Sequence, residues 1–246
     1  MGEQQGARTN DFYVGYMPVP ASHRRVLWIA VPAALLAALG VAVIVGASQR
    51  DPGAAEWRER EETFRGTLLT DPYPLVLTRE GGVVLLVEQG KHGARERARE
   101  LSGGAVVAKG RVLTRDGRTV LELVDGADSL TADTAPLGPV ASSGPSDRIT
   151  VTGEIIDSKC YHGAMKPGEG KTHKACATLC ISNGIPAMFI DETGKAYLLS
   201  AGGTVLDDDS LSKIGERVEV TGDVTALGDL PVLRIAPGTV RRVRSK

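Results

Sequence analysis

The hydrophobic pattern divides the chain into one long uncharged run and a series of short apolar segments. The run extends from Val26 to Ala47 and contains 22 residues without a charge. A helix of about 20 apolar residues spans the hydrocarbon core of a bilayer, so the pattern predicts a transmembrane helix at residues 26–47. The remaining apolar segments are about six residues long and are separated by turns, which predicts β-strands.

Basic residues precede the long run. Arg24 and Arg25 lie directly before it, so the positive-inside rule predicts a cytoplasmic N-terminal arm at residues 1–25. The apolar core of a signal peptide has only about 7–15 residues, which favours an uncleaved anchor over a signal peptide. We therefore expect a single-pass protein of the cell membrane whose C-terminal domains lie outside the cytoplasm, in a bacterial periplasm.

Three aromatic residues lie close together in the N-terminal arm. They are Phe12, Tyr13 and Tyr16. Aromatic side chains with a polar edge suit the headgroup region of a bilayer. The segment either lies on the membrane surface or docks another membrane subunit.

The region after the long run contains an internal repeat. Residues 74–126 align with residues 186–238 without a gap, at an offset of 112 positions. The aligned identities include Pro74 with Pro186, Gly82 with Gly194, Gly90 with Gly202, Gly110 with Gly222 and Gly126 with Gly238. Glycine recurs where turns need a positive φ, so the pattern predicts two copies of one backbone fold.

The strand that precedes each copy recurs at a different offset. Phe64–Leu69 resembles Val151–Ile156 at an offset of 87, with Gly66 on Gly153. Since 112 exceeds 87 by 25, the second copy holds 25 extra residues between its first and second strands. The connection at residues 157–185 takes the place of the four residues 70–73 of the first copy. This segment, called the insertion below, contains all three cysteines of the chain.

Each copy shows five predicted strands with a short helix between the third and the fourth. This order is typical of the OB-fold barrel, so we expect an all-β protein with two tandem OB-like five-stranded barrels after the single transmembrane helix. The predicted domains are residues 56–130 and 148–244. Residues 131–147, rich in Pro, Ser and Gly, predict a linker. The short helices are expected at Ala94–Gly103 and Asp207–Gly215.

Overall charge and motifs exclude several classes of function. The net charge is −1, and no basic field favours a nucleic-acid partner. Lys91 and the nearby arginines are interpreted as a charged helix face with ordinary surface ion pairs. The sequence contains no phosphate-binding loop, nucleophile elbow or glycosidase-like carboxylate pair. A protein without catalytic activity is therefore favoured.

The insertion carries the candidate chemistry. A Pro-Gly turn at residues 167–168 is expected to fold its two halves together. In the second half Thr172 is predicted to cap a helix over residues 173–181, with its histidine and cysteines on one face. The candidate metal ligands are Cys160, His162, His173, Cys176 and Cys180.

Three interpretations of the insertion remain open from the residues alone. In the first, the ligands bind a transition metal, zinc or copper, or form a redox site. In the second, Cys160 forms a structural disulfide with Cys176 or Cys180, and one thiol is left over. Thiol catalysis by one of the helical cysteines, assisted by His173, is a third interpretation.

Several resemblances bear on this choice. The Cys-x3-Cys spacing at Cys176 and Cys180, with a histidine nearby, resembles the copper sites of periplasmic copper-delivery proteins and of cytochrome oxidase. One anchor helix followed by an OB barrel resembles the haem chaperone of cytochrome c maturation, but that family's His-x3-Tyr attachment motif is not present. As a whole, the chain resembles bacterial membrane-anchored tandem OB-like envelope proteins in architecture.

These resemblances imply an accessory role in an envelope or respiratory complex. We expect a membrane-anchored protein whose insertion holds a transition metal or acts as a redox site beside an electron-transfer or metalloenzyme complex. The alternative is a non-catalytic OB-type binding or scaffold module with a structural disulfide.

Overall fold

The computed structural model describes residues 21–48, 55–134, 146–202 and 206–243. The aromatic arm and most of the predicted linker lie outside the described residues. The chain forms two compact units, Met1–Asp51 and Pro52–Lys246.

The first unit contains one long helix, α1, at Ala21–Ser48. Its segment His23–Ser48 is long and apolar enough to cross a membrane. All of its described side chains are exposed. An apolar helix of this length near the N-terminus can serve as a membrane anchor or as a signal sequence.

The second unit begins with a closed five-stranded barrel. Its strand order is β1-β2-β3-β5-β4, and β4 pairs with β1 to close it. The elements are β1 (Glu56–Leu69), β2 (Leu75–Thr78), β3 (Val83–Val87), α2 (Arg95–Ala98), β4 (Ala105–Arg115), β5 (Arg118–Leu123) and a short edge strand β6 (Leu130–Ala132). The short helix lies between the third and fourth strands, as the sequence predicts.

A second closed barrel follows with the same topology. Its elements are β7 (Asp147–Asp157), α3 (Lys174–Ser182), β8 (Ala187–Asp191), β9 (Ala196–Ser200), α4 (Asp208–Leu211), β10 (Arg217–Leu227) and β11 (Leu230–Arg242). The prediction of an all-β fold with two OB-like barrels is therefore confirmed.

Equivalent glycines explain why the repeat is visible in the sequence. A Cβ atom at Gly110 would lie 2.2 Å from the carbonyl oxygen of Glu122, and one at Gly222 would lie 2.3 Å from that of Arg234. These distances are too short for any side chain, so both barrels need glycine where the fourth strand crosses the fifth. The partners Glu122 and Arg234 are themselves separated by the repeat offset of 112.

The two barrels share an apolar interface. The interior of the first barrel includes Val84 and Leu86, whereas Val83 and Leu85 point outward into a core that is continuous with the second barrel. The strand β3 is therefore buried on both faces, which explains its uninterrupted apolar sequence. Because of this packing, the first barrel can contribute side chains to a site in the second.

Candidate metal centre

The Cys/His insertion leaves the second barrel between its first and second strands, as the sequence predicts. Strand β7 ends at Asp157, and the backbone N–H of Ser158 donates to the carbonyl of Pro186, with a nitrogen–oxygen distance of 3.0 Å. This bond closes the base of the insertion. The N–H of Gly170 donates to a carboxylate oxygen of Glu154 at 2.6 Å, which holds the middle of the insertion against the barrel.

A short helical turn in the first half presents Cys160. Asp157 caps this turn, because its Oδ1 atom accepts the backbone N–H of Cys160 at 2.8 Å. Its other oxygen, Oδ2, accepts from Nε2 of His173 at 2.8 Å. Both side chains are buried. A single carboxylate therefore joins the first half of the insertion to the start of the helix in the second half.

The helix α3 presents the other two cysteines. The prediction that Thr172 caps it is wrong: His173 is the N-terminal flanking residue, and its side chain makes no capping bond because the ring is held by Asp157. The predicted end is confirmed, since the helix stops before Asn183 and Gly184 has φ +88°.

The three cysteines meet at one point. Their Sγ atoms lie within 4.8 Å of one another, and none of the three forms a disulfide. Cys160 and Cys180 are buried, whereas Cys176 is partly exposed. Thiolate sulfurs at this separation can bind one metal ion, because ligands 2.3 Å from a common zinc ion lie within that range of each other.

The thiols influence each other's protonation. The hydrogen bond with Cys180, together with burial, raises the pKa of Cys160 far above its usual value. The same contact, assisted by the Cys176 thiol, lowers the pKa of Cys180. Cys180 therefore becomes a thiolate, the form that binds metal, more readily than Cys160 does.

The two predicted histidine ligands have different positions. His173 forms a second close group with Asp157 and Cys160, also within 4.8 Å. His162 belongs to neither group. Its Nδ1 atom donates to the carbonyl of Ser158 at 2.6 Å, and its ring borders a small cavity lined by Arg118 and other residues. Burial lowers the pKa of His162 to about 4, so the ring is neutral near pH 7.

The first barrel contributes a charge to the cysteine cluster. Nζ of Lys91, in the loop after β3, donates to Sγ of Cys176 at 3.2 Å. This contact raises the pKa of Lys91. The interpretation of Lys91 as part of an ordinary surface-charged face is therefore wrong, because a residue 85 positions away in the sequence accepts its hydrogen bond.

A buried lysine ties the insertion to the same loop. Nζ of Lys159 donates to the carbonyls of Glu88 and Gly90 at 2.8 and 2.7 Å, and it pairs with the carboxylate of Glu122 on β5. Both charged side chains of that ion pair are only 5% exposed. All three contacts of this ammonium group are thus made with the first barrel. Lys159 directly precedes Cys160 in the sequence.

Two further contacts hold the insertion against the first barrel. The guanidinium of Arg115 stacks on the ring of Tyr161 at 3.8 Å and donates to the carbonyls of Tyr161 and Pro167. The N–H of Gly93 donates to the carbonyl of Asn183 at 2.9 Å, just after α3. Both halves of the insertion are therefore positioned by the first barrel as well as by the second.

Sequence reasoning missed several of these residues for different reasons. Asp157 could have been found, because an aspartate three residues before Cys160 is a recognisable helix-capping pattern. The sequence around Lys91, Arg115 and Glu122 gives no sign of their contacts with the insertion. The partners of Lys91 and Arg115 lie 85 and 46 positions away, and the partner of Glu122 lies in the insertion of the other barrel.

No family model, curated protein or solved structure matches this chain. Its function is therefore inferred from the chemistry of the site. Three converging thiols with an adjacent cation can bind a soft metal ion or, on oxidation, form one disulfide.

Proposed function

We propose that this chain is a membrane-anchored protein that binds one transition-metal ion through Cys160, Cys176 and Cys180. The observation that carries the proposal is the convergence of all three sulfurs of the chain within 4.8 Å. They come from two separate segments, a turn after β7 and the helix α3. A protein with three cysteines in 246 residues has no packing reason to gather them at one point.

The residues around the three cysteines support a metal-binding site more than a structural disulfide. A disulfide needs two sulfurs, whereas this arrangement contains three, and Lys91 places a positive charge beside the third. The buried contacts of Asp157 with His173 hold the two cysteine-bearing segments in place. Such supporting hydrogen bonds are typical of metal centres, where they orient the ligands.

The proposed location follows from the apolar helix and the basic residues that precede it. Arg24 and Arg25 favour a cytoplasmic N-terminus, which supports a location of both barrels outside the cytoplasm. A membrane-anchored protein with a metal site outside the cytoplasm suits an accessory role in the cell envelope. Its proposed partner is an electron-transfer or metalloenzyme complex of the cell envelope.

The test uses the full chain, purified in detergent without chelator, with metal content and free thiols measured on the same sample. We expect about one metal ion per chain, and none when Cys160, Cys176 and Cys180 are replaced together by serine. Circular dichroism of that variant checks that both barrels still fold. Absence of metal in a folded, fully reduced wild-type sample would contradict the proposal.

A second candidate is a non-catalytic binding or scaffold module with a structural disulfide. Cys160 and Cys180 lie on opposite halves of the insertion with their sulfurs within 4.8 Å of each other, and both are buried, so this pair is the one expected to oxidise. Its signature is one free thiol per chain, at Cys176, with no metal. The same measurement therefore separates the two candidates.

A further inference from the structure

We infer that the metal is Cu(I), bound by three cysteine thiolates alone. This inference rests on the proposed function, and it names the ion that the three-sulfur geometry suits best. It depends on what surrounds the sulfurs: a complete set of three soft ligands, and a neighbouring carboxylate and imidazole that are already engaged with each other.

The first step concerns the number of ligands. Among the described residues, the three sulfurs form a group of three, and neither Asp157 nor His173 joins all of them within 4.8 Å. Structural zinc sites are almost always four-coordinate. Cu(I), which has a filled d shell and prefers soft donors, is satisfied by three thiolates. The geometry is therefore complete for Cu(I) and one ligand short for zinc.

The second step concerns the nearest hard donors. Both oxygens of Asp157 have partners, the N–H of Cys160 and the ring of His173, each at 2.8 Å. Binding of a metal through an oxygen of Asp157 or through Nε2 of His173 would compete with these bonds inside a buried region, where an unpaired polar group is costly. Because neither residue joins all three sulfurs within 4.8 Å, Asp157 and His173 are assigned to positioning the sulfur ligands and not to binding the ion.

The third step concerns charge. Three thiolates with Cu(I) carry a net charge of −2, whereas three thiolates with Zn(II) carry −1. Lys91 donates directly to the Cys176 sulfur, so a positive charge lies where the extra negative charge is located. The contact offsets part of the excess charge without occupying a coordination position on the metal.

The experiment uses the metal-free, reduced full chain in detergent, loaded anaerobically with one equivalent of Cu(I) or, separately, of Zn(II). X-ray absorption at each metal edge then counts the ligands. We expect three sulfur neighbours and no nitrogen or oxygen around copper, with the same spectrum in the variant His173→Gln. Each single Cys→Ser variant should lose more than about 100-fold in Cu(I) affinity, exceeding the loss typical of a residue that only orients a ligand.

A second sample tests which metal the protein takes up on its own. The full chain is expressed with copper and zinc both supplied, and its metal content is measured as isolated. Copper at about one ion per chain supports the inference. Zinc at that level, or a copper nitrogen ligand that disappears in His173→Gln, overturns it but leaves the proposed metal function standing. Failure of the wild-type chain to bind either ion in both samples overturns both.

Discussion

Nζ of Lys91, in the first barrel, lies 3.2 Å from Sγ of Cys176, in the insertion of the second barrel. Lys159, in the insertion, reaches in the opposite direction to Glu122 of the first barrel. The candidate site is thus built by both copies of the repeat. The first barrel, which lacks the insertion, supplies the charge and the contact surface that the insertion needs.

Replacement of Lys91 by methionine is expected to weaken metal binding while leaving the fold intact. The side chain is one atom shorter and loses the charge that faces the Cys176 thiolate. Because Lys91 is partly exposed, the loss in affinity should be about twofold to fivefold, as for an exposed ion pair. Competition against a chelator of known affinity measures it, at low and at high salt.

The matched control is Lys171→Met, an exposed lysine in the same insertion. It changes the net charge by the same amount without removing a contact to sulfur. The difference between the two variants should decrease as salt rises, since screening weakens the charge effect. Equal affinities of the two variants at low salt would show that the Lys91 contact does not act on the metal.

Replacement of Lys159 by methionine is expected to destabilise the protein by up to about 3–5 kcal/mol, because it removes the buried cation of the Glu122 carboxylate. Of the described residues, only the half-exposed Arg111, at 3.8 Å, then remains beside that carboxylate. Chemical denaturation measures this change. The double variant Lys159→Met/Glu122→Leu removes both charges and should recover most of the loss. If the double variant is as unstable as the single one, the ion pair is not the source of the effect.

The fold was largely predictable from the sequence because its signals are local. Turn glycines such as Gly90 and Gly202 and strand-length apolar segments are each recognisable from a few neighbouring residues, and the change of offset between the first and second strands follows from comparing the two copies. The position of the insertion followed from the offsets alone. These features reflect backbone conformation, which directly restricts the residue types that turns and strands accept.

The surroundings of the site were predictable only in part. The cysteines could be expected to meet, because a Pro-Gly turn separates their segments and Cys176 and Cys180 share a helix face. The contacts of Lys91 and Arg115 could not be expected from the sequence. They depend on how the two barrels pack, and the apolar residues of that interface do not indicate which polar groups it brings together. His162 and His173 were indistinguishable as ligands in the sequence, and their distances to the cysteines and their hydrogen bonds separate them in the structure.

Replacement of Gly93 by alanine is expected to loosen the contact between the barrels. A Cβ atom there would lie 2.0 Å from the carbonyl oxygen of Gly184, so the backbone must move. Overpacking of this kind typically costs about 1–3 kcal/mol. Thermal unfolding measures the loss, and the metal affinity should fall with it because Gly184 directly follows α3.

Gly82→Ala is the matched control for this change. It lies in the same barrel, its φ is also outside the left-handed region, and its closest neighbour is the side-chain oxygen of Thr78 at 3.3 Å. Its effect on unfolding and on metal affinity should be small. A large effect at Gly82 and none at Gly93 would contradict the proposed contact between the barrels.

Acid is expected to weaken the attachment of α3 through Glu216. This carboxylate accepts hydrogen bonds from Lys174 and Arg242, which lower its pKa from 4.5 to about 2. Because the folded pKa lies below the unfolded one, the stabilisation is fully present above about pH 4.5 and is lost as the pH falls toward 2. Since the partners are partly exposed, it should amount to only about 1 kcal/mol at pH 7.

Glu216→Gln tests this assignment. The variant should be less stable than the wild type at pH 7. The difference should decrease below about pH 4.5 and disappear only below about pH 2, where Glu216 in the folded wild type is protonated. Urea unfolding at a series of pH values measures the difference. A difference that is constant with pH would show that the carboxylate charge contributes nothing.

Thiol labelling is expected to distinguish Cys176 from the two buried cysteines. In the metal-free, reduced full chain only Cys176 is partly exposed, whereas Cys160 and Cys180 are 6% and 1% exposed. Iodoacetamide should therefore modify Cys176 first, and the others at least about tenfold more slowly, because they react only after local opening. Peptide mass spectrometry over time identifies the order. Metal loading should protect all three, whereas modification of Cys176 at an unchanged rate after loading would exclude it as a ligand.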